Sequence, residues 1–340
     1  MAKHFKRESC LDAIEETEER VDYLKEKNEN LDIKKPAIFK HKETVDVVQA
    51  EKDIEKAQEE WDNLGSSVHG VLITPLKTDP ISCEEVLHYF KSKDMNKYMN
   101  SIKPVKQRKG FGALRHWIIG PPKLHENLIP DRNVFFAIAM CPFNTSEEVH
   151  MRVLQTLYKA LTYTDKDCPR YGPHWEEIGF QGIDPGTDLR GVGFLGLIHL
   201  LYLALNPSTL ELTREIMQLS KTENQNFPFC TMGINMTRIV LEVMREEVLN
   251  RECNGKMDVF QVTNDFYAGV FLRLQYIWTE QKKTIMDSGY VIKDLSSFAK
   301  KHSTVILKDF SEYVKRRKNL PSCHLNGPSR NKDDGVVIKV

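Results

Sequence analysis

Residues 174–205 read "HWEEIGFQGIDPGTDLRGVGFLGLIHLLYLAL", and the fold turns on how this stretch is parsed. Its first half carries Gly179, Gly182, Gly186, Gly191 and Gly193 among acidic residues and a lone arginine, Arg190. Its second half, from Val192 to Leu205, is apolar apart from His199. An apolar run of that length, without the alternation of a half-buried strand, predicts a buried helix. It falls short of the roughly 20 apolar residues that a membrane span needs. The glycines ahead of it predict a turn with special backbone conformations.

Outward from this point the patterning is helical. "TSEEVHMRVLQTLYKALT" places Val149, Val153, Leu157 and Leu161 on one stripe, with Thr145 and Glu148 spaced as a capping box. "PSTLELTREIMQLSK" offers a second such box in Ser208 and Glu211. "CTMGINMTRIVLEVMREEVLN" and "VFQVTNDFYAGVFLRLQYIWTEQKK" predict two long helices separated by "RECNGK". "VIKDLSSFAKKH" and "TVILKDFSEYVKRRK" predict two more. Upstream, "SCEEVLHYFKSK", "FGALRHWIIGPP" and "PDRNVFFAIAM" read as helices, and "VHGVLITPL" as a short extended piece. Alternating strand patterns are nearly absent, so the expected fold is all-α.

The expected organisation is a charged, mostly disordered arm over 1–64 with a short helix in "EKDIEKAQEEWDNLG", then a helical extension over 65–144 packing on a main helical domain at 145–310. A disordered tail is expected at 319–340. The basic string "KPVKQRKG" at 103–110 reads as a solvated linker rather than a phosphate contact.

Lys plus Arg and Asp plus Glu both count 48, and this zero formal charge offers no general attraction to nucleic acid or an anionic bilayer. Seven cysteines, an odd number without a CxxC pair, together with a start lacking a signal-like apolar segment, lead to the expectation of free thiols and a cytoplasmic protein. "GVGFLG" at 191–196 matches GxGxxG literally, but "DPGTDLR" ahead of it makes a poor strand, so dinucleotide binding is not expected. Gly193, Gly196 and Leu200 instead share i,i+3,i+7 spacing and predict a flat face for a neighbouring helix. No GxxxxGK[ST], GxSxG or HExxH occurs. His150, His174 and His199 lack zinc spacing, "SCHLNG" is equally unconvincing as a metal site, and His199 reads as a hydrogen-bonded core residue.

Arg190 is the residue that needs explaining. If the helix starts near Thr187 or Asp188, Arg190 falls in its first turn, where the helix dipole disfavours a cation. Either Asp184 or Asp188 pairs with the guanidinium, or the arginine projects from the turn toward a partner's phosphate. The residues themselves leave both open.

The string W-x3-IGFQG-x-DP-x-TD-L-RG-x-G-x-LGL, from Trp175 to Leu197, resembles the signature of the ELMO (engulfment and cell motility) domain, with the likeness running over about 145–305. "RVLQTLYKALT" and "NQNFPFC" fit the same pattern. The resemblance implies an all-helical domain that stimulates GTP hydrolysis by Arf and Arf-like GTPases. It makes the chain a regulator, with Arg190 as the catalytic residue supplied in trans. Trp175, Ile178, Gly179, Phe180, Gln181, Gly182, Asp184, Pro185, Thr187, Asp188 and Gly191 match the surrounding pattern, while Leu189 replaces a frequent Phe. Gln181 is expected to hydrogen-bond within the loop, Asp184 and Asp188 to hold Arg190, and Trp175, Ile178 and Phe180 to pack beneath the turn. The expected partner is a small GTPase in its GTP form, which brings the nucleotide and Mg²⁺; no cofactor or metal of the chain's own is expected, nor nucleic acid, nor a transmembrane segment. Membrane or cytoskeletal recruitment would come through partners. The rival reading is a non-catalytic helical adaptor for a GTPase or its regulators. Its form with DOCK exchange factors is weakened by prolines that never fall as PxxP.

Overall fold

The computed structural model describes residues 78–102, 105 and 120–319. The expected arm helix, "VHGVLITPL", "FGALRHWII", nearly all of the basic string and the tail beyond Asn319 lie outside these residues. Those described fold as helices, with no strand among them.

Two short helices come first: α1 (Cys83–Ser92) and α2 (Asn96–Met99). Ser82 caps α1 by accepting from the Glu85 amide at 3.1 Å, and Glu84 and Glu85 in its first turn suit the dipole. Helix α3 (Ile129–Met140) carries Pro130 in its first turn, where its missing N–H would be unpaired anyway. Helix α4 (Glu148–Thr162) buries Val153, Leu157 and Leu161 from the expected stripe, and Leu154 beside them. Neither expected capping box forms. Thr145 lies two residues ahead of the actual N-cap, Glu147, which makes no side-chain cap bond. At α6 (Leu210–Ser220) the cap is Thr209, whose hydroxyl turns back to donate to Leu203 O at 2.8 Å.

Helix α5 (Leu195–Leu205) is the apolar run, and every residue in it except Leu205 is buried. It packs against α4, α6 and α7 (Phe229–Arg245). Helix α9 (Val259–Glu280) is capped by Asp258 and lies against α7, α10 (Ser288–Lys301) and α11 (Ser303–Asn319). "RECNGK" is not a plain connector: its residues fall in a short helix, α8 (Asn250–Lys256), that buries Cys253. Helix propensity from Arg, Glu and Lys is enough once one face has a core to meet.

One tight helix approach uses a glycine other than those expected. A Cβ on Gly233 of α7 would come within 2.5 Å of Leu200 Cδ2 and 2.7 Å of Tyr267 Oη, so α5, α7 and α9 meet there. Gly196 meets α7 less tightly, 3.5 Å from Ile234 Cγ1. His199 is a core residue as expected, stacked on Tyr267 at 4.6 Å with Nδ1 3.1 Å from Thr237 Oγ1. Burial lowers it to about 3, so the ring is neutral. Cys83, Cys141, Cys168, Cys230 and Cys253 are free, and burial raises each thiol. No single helix among the described residues is long and apolar enough to cross a membrane.

Candidate functional site

The glycine-rich prelude forms a suspended loop between α4 and α5. Its approach is fixed by Gln155 of α4, which accepts from the Cys168 amide at 2.9 Å and donates to the Cys168 carbonyl at 2.7 Å. Two residues on, the Arg170 guanidinium lies over the rings of Phe143 (4.6 Å) and Tyr171 (4.4 Å). The chain then makes a 3₁₀ turn over Pro173–Ile178. Trp175 and Ile178 are buried beneath it with Phe180, and Trp175 Nε1 donates to Arg170 O at 3.0 Å. Packing beneath the turn is thus as expected.

Gly179 locks the far side. At φ +83° a Cβ would collide with the backbone nitrogen of Phe229, so only glycine lets the loop touch the start of α7. Its carbonyl accepts from both the amide (2.9 Å) and the hydroxyl (3.0 Å) of Thr231. Return contacts close the loop. The Gly172 amide donates to Ile183 O at 3.0 Å, and the Gln181 amide donates to Asp188 Oδ2 at 2.6 Å. Gln181 bonds within the loop through its backbone amide, which leaves the expected role of its side chain untested.

Asp184 and Asp188 do not hold Arg190. Asp184 Oδ1 accepts from Arg170 Nη2 at 2.7 Å and from the Gly186 amide at 2.8 Å, while its carbonyl accepts from the Thr187 hydroxyl at 2.8 Å. Asp188 is committed to the Gln181 amide. Burial raises its carboxyl above the usual range, with the Asp184 charge adding to this and the Gln181 hydrogen bond opposing it. Arg170, the true partner of Asp184, carries no signal in local spacing; only the topology brings it back to residue 184.

The helix also begins later than its composition suggests. Residues 185–187 are 3₁₀, 188–194 are turns, and α5 starts at Leu195. Gly191 (φ +84°) and Gly193 (φ +53°) adopt backbone conformations that no α-helix contains. A Cβ on Gly193 would collide with the Ala139 carbonyl oxygen, and the next amide, Phe194, donates to Cys141 O at 2.8 Å. Those contacts tie the end of the loop to the end of α3. Gly182 (φ +72°) and Gly191 have open space around them.

Arg190 stands between the two anchored ends. Its neighbours Leu189 and Val192 are buried, whereas Arg190 is exposed. Among the described residues its guanidinium has neither a hydrogen bond nor an ion pair. It is therefore not in a first helical turn, and the dipole argument does not apply to it. Gln181, Gly182, Thr187 and Gly191 are exposed on the same loop, and Asp184 and Asp188 are half-buried. No cluster of His, Cys, Asp and Glu among the described residues has the arrangement of a metal site.

The profile of the ELMO/CED-12 family matches residues 133–292, which include the whole loop. ELMO domain-containing protein 3 from Bos taurus is 46% identical over 266 residues, covering 77% of this chain and 70% of the relative. The protein of that name from Homo sapiens is 44% identical over 267 residues, covering 78% and 70%. ELMO domain-containing protein 2 from Homo sapiens is 34% identical over 144 residues, covering 42% of this chain and 48% of the relative. No solved structure matches the chain.

Proposed function

The chain belongs to the ELMO/CED-12 family, and on that premise we propose that it is a GTPase-activating protein for Arf and Arf-like GTPases, with Arg190 inserted beside the partner's nucleotide. One observation carries the reading: Arg190 is exposed and its guanidinium has no partner among the described residues, although the loop around it is pinned at both ends. A structural arginine would spend its donors on its own loop. Here Arg170 does that, on Asp184.

Chemistry favours this residue type. In GTP hydrolysis negative charge spreads over the oxygens of the transferring phosphoryl group, and a planar guanidinium that stays charged at any working pH can contact two of them. The nucleotide, its Mg²⁺ and the water-orienting residue belong to the GTPase; this chain contributes the cation and exclusion of water. An arginine supplied in trans accelerates hydrolysis about 10³- to 10⁵-fold, or roughly 4–7 kcal/mol of barrier. On this reading the protein works in the cytoplasm and is recruited to membranes or cytoskeleton by its partners.

The test is single-turnover GTP hydrolysis by purified Arf-family GTPases with the wild-type chain, Arg190→Ala and Arg190→Lys. Both variants are expected to lose stimulation by about 10³-fold or more while melting as wild type does, because lysine keeps the charge but not the fork. Binding to the GTP form with no acceleration by the wild type would establish the adaptor reading instead. Variants that stay active would remove Arg190 from the chemistry.

A further inference from the structure

Two large apolar side chains on the loop that carries Arg190 face solvent: Ile183 is 59% exposed and Tyr171 is 56% exposed. Single exposed apolar residues are ordinary on protein surfaces. These two differ in being neighbours on a fixed frame. The Gly172 amide bonds to the Ile183 carbonyl, which sets residue 183 against the backbone just after Tyr171. One residue further on each side, Arg170 pairs with Asp184. The Tyr171 ring lies under the Arg170 guanidinium, so the phenol is held without being covered. Trp175, Phe180 and Leu189 from the same segment are all buried, so apolar residues that the loop can cover are covered.

We propose that Tyr171 and Ile183 form the apolar anchor on which the GTP-bound GTPase docks, and that they set affinity while Arg190 sets rate. The inference rests on the function proposed above and names its docking surface. The occupant follows from continuity and charge. The anchor and Arg190 share one short loop, tied across it by the bond between the Gln181 amide and Asp188. An unpaired guanidinium calls for an anion, and an exposed apolar pair on the same loop calls for a protein surface around that anion rather than for a free phosphate. Rigid aromatic and aliphatic side chains, held before contact, lose little freedom on binding and so make strong anchors.

The experiment measures hydrolysis against GTPase concentration, and direct binding to the GTP-loaded form, for the full chain and for Tyr171→Ser, Ile183→Ser and Arg190→Ala. Both serine changes are at exposed positions, and thermal melts check that each variant folds. Expected are a KM and a Kd raised about tenfold or more for each serine variant, with the saturating rate unchanged. Arg190→Ala should show the reverse: lost rate with retained binding. Serine variants that bind and stimulate like wild type would overturn the anchor and leave the activating function standing. A wild type that binds without accelerating, and loses binding in the serine variants, would keep the anchor and overturn the activating function. A wild type that neither binds nor accelerates any GTPase would overturn both.

Discussion

Glycines of the loop divide into two kinds, and their alanine variants should separate accordingly. Gly179 and Gly193 combine positive φ with backbone against the absent side chain, from Phe229 and Ala139 respectively. Alanine at either site must displace a helix end, and a loss of about 3 kcal/mol or more is expected. At Gly191 the surroundings are open, so Gly191→Ala should cost only about 1–2 kcal/mol from its backbone angle. Thermal or denaturant melts of the three variants check the order. Two histidines give a pH signature at the same scale. Burial lowers His150 to about 4, helped by Lys93 and opposed by Glu147, and lowers His199 to about 3. Both are neutral in the fold, and the unfolded chain takes up a proton near its ordinary value of 6.5. Their contribution is therefore complete above pH 6.5 and is lost as pH falls from there through 4 for His150 and 3 for His199. At pH 5 the expected loss is about 2 kcal/mol for each. Denaturant titrations at pH 7 and pH 5 measure it, and replacing His199 with an apolar ring should flatten the slope.

Between α4 and α5 the fold depends on one ion pair that crosses the loop. Arg170→Met should leave the helices intact but remove the guanidinium from Asp184 and from the Phe143 ring. The pair is partly exposed, so a stability loss of about 2 kcal/mol is expected, with stimulation of hydrolysis falling more steeply than the melting temperature. Circular dichroism melts run beside the hydrolysis assay check that difference. Elements of this kind also show what periodicity could tell and what it could not. The helices α1, α4, α6, α7, α10 and α11 were legible because each repeats apolar residues along one face, and α3 and α9 because their apolar residues run on without strand alternation. The start of α5 was not, because apolar composition rises at Val192 while the backbone stays non-helical until the glycines are passed. Thr145 and Ser208 had capping spacing, but spacing does not say which residue the tertiary contacts will make the cap. The partner of Asp184 was invisible for a related reason: Asp188 and Arg190 are near it in sequence, yet the turn delivers Arg170.

At the scale of the molecule, the core is continuous beyond the segment that the family profile matches. Val86 and Phe90 of α1 are buried in the same core as Phe194 and Phe310, and α11 lies along α9, where a Cβ on Gly269 would come within 2.9 Å of Ile306 O. A fragment cut to 133–292 would expose both surfaces. It is expected to melt without cooperativity or aggregate, while 78–319 unfolds in one sharp transition, as calorimetry would show. The suspension of the loop has one more consequence. The ties that shape it run through backbone and through Gln155, Arg170, Trp175, Asp184, Thr187, Asp188 and Thr231, and none among the described residues through the Arg190 side chain. A cell carrying a substitution at Arg190 should therefore make the protein at ordinary abundance, and no quality-control pathway would flag the defect.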